Sequence, residues 1–431
     1  TGIGFLGLMG SVGAMSIAIG VLVAVSFIPA ILSRVGIRVL SRKERKQLAE
    51  RQAHQEPAAI TSDAPILATK RPVLSVLATV VALGILALPF GSMRLGLPDG
   101  KFESTESTGY KSYVLTEQAF GEGANATLIA VATAPNEIFK DSQLQYQADI
   151  TSKLMEVEDV TAVVPIGFST DNSIAAFRVI PAEGPNSIST AQVVKDLRAL
   201  QPEISNEFDS KLEVTGLAAI NLDVSQKLGE ALPLYLATVI GLSLIVLILV
   251  FRSILLPLIA SVGFLFTVFA TFGAVVAVFQ WGWLGFLFDI HDPGPILSFL
   301  PTLLIGILFG LAMDYQLFLA SGMREAFVHG RKPTASINYG IHLSRSVVVT
   351  AAIIMVAVFG GFIFSHTTMV RPIGFGLAFG VLIDAFLVRL LLVPAALTLL
   401  GEKAWWLPKW LDRILPDVDV EGAKLERSHP H

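Results

Sequence analysis

The sequence predicts a multi-span α-helical membrane protein with one α+β domain inserted outside the membrane. Three observations carry this reading. Hydrophobic residues make up 53% of the 431 positions and charged residues only 15%, against about 25% charged in a typical soluble domain. The apolar residues gather into long uncharged runs that alternate with stretches of ordinary polarity. One polar stretch between two runs is long enough for a folded domain and has strand and helix periodicities of its own. The net charge of −4 argues against a nucleic-acid partner. With no cysteine there is no disulfide framework, thiolate metal site or thiolate nucleophile.

A hydrocarbon core of about 30 Å takes roughly 20 apolar residues in a helix. Seven segments reach that length: 5–33, 73–92, 232–251, 255–282, 297–321, 346–365 and 372–400. The first lacks the short apolar core and small-residue cleavage site of a signal peptide, so it counts as a span. The chain opens at Thr1 without Met and runs almost at once into apolar sequence, from which further helices upstream are expected. Lys and Arg near the span ends set the orientation. They crowd the loop from Arg34 to Arg71, recur at Arg324, Arg331, Lys332 and Arg345, and return at Lys403, Lys409 and Arg413. If the seven spans alternate, all three groups fall on one side, the cytoplasmic one, and Arg371 is the small exception. The expected layout is a transmembrane helix over 1–34, a cytoplasmic loop over 35–71 and a second helix over 72–92. An extracytoplasmic domain follows over 93–231, then a five-helix bundle over 232–400 and a cytoplasmic tail over 401–431.

Within 93–231, Thr127 to Thr133 reads as a strand. Residues 141–157 read as an amphipathic helix with Leu144, Ile150, Leu154 and Val157 on one stripe. Val160 to Val164 and Ser173 to Ile180 are two further strands, separated by the turn residues Gly167 to Asn172. Ser189 to Leu200 is a second helix and Lys211 to Thr215 a fourth strand. The order βαββαβ is the ferredoxin-like, split βαβ pattern.

An internal repeat is also visible. Ile28-Pro-Ala-Ile-Leu-Ser-Arg-Val-Gly36 matches Val393-Pro-Ala-Ala-Leu-Thr-Leu-Leu-Gly401, with Pro, Ala, Leu and Gly at identical spacing. Both spans also contain glycine-rich stretches, Gly10 to Gly13 and Gly374 to Gly380. Chance likeness between two apolar helices is one explanation. The other is that the first span is the last helix of a duplicated half, as in transporters built from parallel repeats.

Some residues inside the spans are too polar to pass without a reason. Asp314, beside Tyr315, lies near the middle of the fifth span. A carboxylate there costs about 2.5–3.5 kcal/mol on insertion scales, so it is expected to face the bundle or a wet cavity. Desolvation favours its protonated form, and the neighbouring phenol suits a proton relay. A neutral aspartate bonded to a neighbouring helix for packing is the plainer alternative. Gly306 and Gly310, with Ala312, permit close helix contact. Asp384 and Arg389 form a second polar pair in the last span. Five residues apart, they stand about 140° from one another on an α-helix and are not expected to meet. Arg389 is expected to snorkel or to meet a carboxylate elsewhere. The matching positions in the first span are Ile19 and Ala24, so the repeat does not duplicate this pair. Arg371, His366, Trp281 and Trp283 read as interfacial anchors, and Trp405, Trp406 and Trp410 as a short interfacial helix.

The run Gly310-Leu-Ala-Met-Asp-Tyr-Gln-Leu-Phe-Leu319, followed by Arg324-Glu325, resembles the signature helix of the MMPL transporters of the resistance-nodulation-division superfamily. Ser344 to Ala352, Asp384 to Ala395 and Ala404 to Arg413 are similar to further stretches of that family. The resemblance implies a two-half transporter of twelve spans, each half with a ferredoxin-like porter domain, here residues 93–231. It implies proton-driven export of lipids or lipophilic compounds across the cell membrane. No cofactor is expected beyond the coupling proton, and Asp314 and Tyr315 correspond to the relay. In the family this pair faces a matching Asp-Tyr pair from the first half, which makes the missing half the expected partner. Asp314 would take a proton from outside, change its bonding to the neighbouring half and release the proton inside. Homo-oligomerisation stays open.

Other classes stay open beside transport. One is a sterol-sensing or receptor-type membrane protein, another a proton-driven accessory subunit of protein secretion, and a third a fragment inactive alone. An enzyme is not expected, since no nucleophile–base set, metal-ligand or phosphate-loop motif is present.

Overall fold

The computed structural model describes residues 4–39, 45, 64–136, 138, 142–288, 290–365 and 367–415. Most of the 35–71 loop, His366 and the tail after 415 therefore lie outside the described residues. The chain divides into two compact units, Thr1–Ala64 and Pro65–His431.

In the first unit an α-helix over Gly4–Leu22 passes through a π-helical turn, Val23–Phe27, into a second α-helix, Ile28–Val35. Pro29 accounts for the turn. It has no N–H to donate and its ring crowds the carbonyl four residues back, so the helix widens there. Gly36 ends the helix at φ 54°, where a side chain would be strained.

The second unit holds six further apolar helices: Pro72–Ser92, Leu217–Phe251, Leu255–Gln280, Leu300–Val328, Pro333–Ile363 and Val370–Trp405. With Gly10–Val39 they make seven helices, among the described residues, long and apolar enough to cross a membrane. The fourth and seventh lie at the centre, with 72% and 67% of their most apolar windows buried, against 11% for the sixth. The sixth instead turns a stripe of Leu343, Val347, Ile354 and Val358 outward, as a helix bordered by lipid does. Gly273 brings the fourth helix against the second, because a Cβ there would collide with the Leu86 carbonyl.

Among the described residues, six strands lie in the same unit. β1 (Leu95–Gly96) pairs in parallel with β6 (Ile296–Leu297), tying the end of the second helix to the start of the fifth. β2 (Leu128–Thr133), β3 (Val160–Phe168), β4 (Ile174–Pro181) and β5 (Lys211–Thr215) form an antiparallel sheet in the order β3-β4-β2-β5. Helices Gln143–Met155, Ile188–Ala199 and Gln201–Phe208 are interleaved with them in the chain. Alternate residues Leu128, Ala130 and Ala132 of β2, with Phe177 and Val179 of β4, close a core against Ile150, Leu154, Val193 and Leu197. Leu144 does not join it and is 81% exposed. Six residues before Ile150, it sits about 120° around the helix, and Tyr146 packs on the core instead.

The third apolar helix departs most from expectation. It begins at Leu217, straight after β5, and runs 35 residues to Phe251 with Pro233 inside it. The predicted span 232–251 is only its second part. At 1.5 Å per residue the helix is about 52 Å long, well beyond a hydrocarbon core. Its first part is amphipathic, with Ala218, Ala219 and Leu228 buried, so counting charges ends the span where the helix in fact continues. Gly216 makes the turn at φ 108°, and a Cβ there would collide with the Thr127 carbonyl. Arg198 grips the helix through both nitrogens, Nη1 to Asp223 Oδ1 at 2.7 Å and Nη2 to Oδ2 at 2.8 Å. Ser225 and Ser298 meet hydroxyl to hydroxyl at 2.7 Å, joining the same helix to the residues after β6.

Candidate functional site in the membrane helices

Asp314 and Tyr315 occupy the middle of the helix Leu300–Val328. Asp314 is exposed at the surface of its unit and Tyr315 is half-buried. The Tyr315 hydroxyl donates to Met355 Sδ of the sixth helix at 3.4 Å. Gly306, two turns earlier, lies under the Tyr235 hydroxyl, which a Cβ would meet at 2.8 Å, while the space beside Gly310 is open. Of the two expected glycine contacts, only that at Gly306 is made.

Asp384 and Arg389 do meet, contrary to the α-helical geometry. Residues Ile383–Leu392 form a π-helix, in which bonding from i to i+5 stacks residues five apart over one another. Arg389 Nε donates to Asp384 Oδ2 at 2.5 Å. Asp384 is 7% and Arg389 3% exposed, so the arginine does not snorkel. Pro394 follows the π segment as Pro29 follows the one at Val23–Phe27. Gly401, at φ 55°, ends the last helix as Gly36 ends the first.

Arg389 also reaches the Asp314 helix. It donates to the Ala312 carbonyl, and its guanidinium carbon stands 5.6 Å from the centre of the Tyr315 ring, within cation–π range. Its Nη1 is buried without a hydrogen-bond partner, as is Nε2 of Gln316, a residue only 2% exposed. The result is a polar seam across two helices: Asp314 at the surface, Tyr315 behind it, then Arg389 and Asp384 inside. The inner pair balances its own charge. Sequence reasoning passed over Gln316, although a glutamine in mid-span was the available signal.

The anchors divide. Trp281 and Trp283 are exposed with ring centres 5.4 Å apart, and Arg371 holds the Ser365 carbonyl through Nε at 2.9 Å. Trp405 is no surface anchor, because it stacks on Phe327 at 5.2 Å and buries its ring nitrogen. Trp406 and Trp410 are exposed, the latter on the short helix Lys409–Ile414. Beyond the membrane helices, Asp99 accepts from the Lys101 amide at 2.9 Å, Asn186 Nδ2 at 2.8 Å and the Tyr113 hydroxyl at 3.5 Å. Burial raises the Asp99 carboxyl above its ordinary 3.8 despite these bonds, and burial likewise pushes the Tyr113 phenol up. Among the described residues, no group of three or more His, Cys, Asp or Glu is placed to hold a metal ion.

Seven helices long and apolar enough to cross a membrane, found among the described residues, mark a multi-pass membrane protein. Residues 111–415 match the MMPL family, and the chain belongs to it. It is 38% identical to the membrane protein YdfJ of Bacillus subtilis (strain 168), over 98% of this chain and 57% of that protein. It is 29% identical to the mycolic acid-containing lipids exporter MmpL11 of Mycolicibacterium smegmatis, over 94% of this chain and 43% of the exporter. The trehalose monomycolate exporter MmpL3 of Mycobacterium tuberculosis is 28% identical over 84% of this chain and 39% of its own length. The chain thus spans about half the length of these relatives.

Proposed function

We propose that this chain supplies the second half of a proton-driven exporter of lipids or lipophilic compounds in the cell membrane. In this reading residues 93–231 are an extracytoplasmic, ferredoxin-like porter domain, and the C-terminal tail is cytoplasmic. Family membership and two relatives named as lipid exporters support the cargo class. The strand order β3-β4-β2-β5, with its antiparallel pairs, supports the porter assignment. The end of the first span and the end of the last share a π turn, a proline and a terminal glycine of positive φ, which supports two duplicated halves.

One observation carries the mechanism: Asp314 stands exposed in mid-helix with Tyr315, while the neighbouring Arg389 is already neutralised by Asp384. An exposed carboxylate at that depth calls for a partner surface, which in this reading a first half supplies. Protonation then changes the charge at that surface by one unit and biases how the halves pack. The test is export from proteoliposomes by the two-half transporter under an imposed proton gradient. Asp314→Asn, which keeps the shape and removes the titration, is expected to abolish export with abundance unchanged. Export at the wild-type rate would make the aspartate structural.

A further inference from the structure

The uncharged run that begins at Ser253 does not stop where the fourth helix ends at Gln280. It continues as Trp-Gly-Trp-Leu-Gly-Phe-Leu-Phe to Phe288. So short a segment cannot make another span, and it precedes β6 at the end of the bundle where the α+β domain stands. Yet it is largely uncovered. Phe286 is 88% exposed, and Trp283, Leu284 and Leu287 are each more than half exposed. Contiguous apolar side chains left open in this way mark a contact surface.

The segment folds back along the bundle. The amides of Trp281 and Trp283 donate to the carbonyls of Val276 and Ala277, each at 2.9 Å, so the chain doubles back beside the last turn of the fourth helix. The Phe288 ring meets that of Phe375 with centres 5.3 Å apart. Phe375 lies five residues into the seventh helix from Val370, about 7.5 Å along it from that end. Arg371 Nη1 donates to the Phe288 carbonyl at 3.4 Å and holds the return. The backbone suits a medium without water, where main-chain groups must be satisfied internally. The amides of Gly285, Leu287 and Ile290 donate to the carbonyls of Gly282, Leu284 and Gly285 at 3.1, 2.9 and 3.0 Å. Leu284 sits at φ 59°, a region glycine favours, so the turn keeps an exposed leucine in spite of the strain. From 281 to 288 the two indoles are the only side chains able to hydrogen-bond. A protein interface carries about one hydrogen bond per 100–200 Å², which so bare a surface does not supply. Acyl chains ask for none.

We propose that residues 281–288 form a membrane wedge, whose tip Leu284, Phe286 and Leu287 enters the hydrocarbon of the leaflet beside the α+β domain without crossing it. This goes beyond anchoring by Trp281 and Trp283 at the surface, since the tip lies below the headgroups. Gln280 ties the base of the wedge to the root of the domain. Its Nε2 donates to the Ser92 carbonyl at 2.7 Å, and its Oε1 accepts from the Arg94 amide at 2.9 Å. Ser92 ends the second apolar helix and Arg94 leads into β1, so the wedge sets the height of the domain's root against the lipid. It does so whatever the protein exports.

The chain has no cysteine, so Phe286→Cys and Leu287→Cys each give one thiol for a nitroxide spin label. The exposed side chains replaced support no packing. The full chain is reconstituted into phosphatidylcholine vesicles, and label depth is read from the ratio of collisions with oxygen to collisions with a water-soluble nickel chelate. Leu144→Cys, at an 81% exposed position of the domain, serves as the reference in water, and Ile354→Cys, on the outward stripe of the sixth helix, as the reference in lipid. Both wedge labels are expected to meet oxygen freely and the chelate rarely, at a depth of about 5–10 Å below the headgroup boundary. Chelate collisions at either position as frequent as at 144 would place the segment in water and overturn the proposal. Protection from both reagents would overturn it too, because the surface would then be covered by protein, whether a transporter half or a second copy.

Discussion

Arg389 is almost wholly buried, and its charge is met by a carboxylate five residues earlier on its own helix. Removing one member of such a pair leaves an uncompensated charge, at a cost of about 3–5 kcal/mol. Asp384→Asn is therefore expected to lower the thermal unfolding midpoint in detergent more than Asp384→Leu combined with Arg389→Met, which removes both charges. Tyr315→Phe removes only the hydroxyl on Met355 and is expected to slow export without destabilising the protein. Asp99 gives a pH signature outside the membrane. Its folded carboxyl is raised above 3.8 by burial, so the folded state holds the proton longer than the unfolded one. The associated stability is full below about pH 3.8 and is lost as pH rises through the folded value. Thermal melts across that window should show stability falling with pH in the wild type and a flatter profile in Asp99→Asn. Asp314 was legible in the sequence because a lone carboxylate in an apolar run is conspicuous. The Asp384–Arg389 contact was not, because α-helical angles place the two residues apart and only the π turn before Pro394 brings them together.

At the scale of elements, strands announced themselves by alternation and helices by stripes, with informative failures. Leu128, Ala130 and Ala132 all face the core, as a period of two requires. Phe177→Ala removes the largest buried side chain of that core and is expected to destabilise the domain by about 3–5 kcal/mol, read as faster limited proteolysis of the full chain. Leu144 shows that an apolar residue near a stripe need not belong to it. The helix Thr108–Phe120 escaped notice, although Ser107 caps it through a 3.0 Å bond from the Tyr110 amide. A serine before a mixed-polarity run is a weak signal beside long hydrophobic runs. The start of the third apolar helix was hidden for the opposite reason, since polar residues facing water concealed a helix that was already continuous.

Across the whole molecule, the domain's connections to the bundle include the Leu217–Phe251 helix, the β1–β6 pair and the Ser225–Ser298 contact. A transport cycle that moves the domain against the bundle would strain these connections. The chain has no cysteine, so Ser225→Cys with Ser298→Cys creates a single oxidisable pair where the hydroxyls now stand 2.7 Å apart. Oxidation is expected to stop export and reductant to restore it. Export unaffected by complete crosslinking would show that this junction stays closed throughout the cycle. The β1–β6 pair and the Ser225–Ser298 contact were not legible, because each joins residues far apart in the chain.

The unbroken helix from Gly216 to Arg252 has a phase as well as a length. Each residue added to an α-helix turns everything beyond it by about 100° and lifts it by about 1.5 Å. One extra residue between Ser225 and Ser243 would turn the first part of the helix, with its Arg198–Asp223 clamp intact, and draw Ser225 away from Ser298 while leaving the membrane half in register with Met313. Seven extra residues, close to two full turns, would nearly restore the angle and fail only in height. Insertions and deletions in this stretch are thus filtered by rotation before they are filtered by hydrophobicity, so the rod behaves as a keyed shaft rather than a tether.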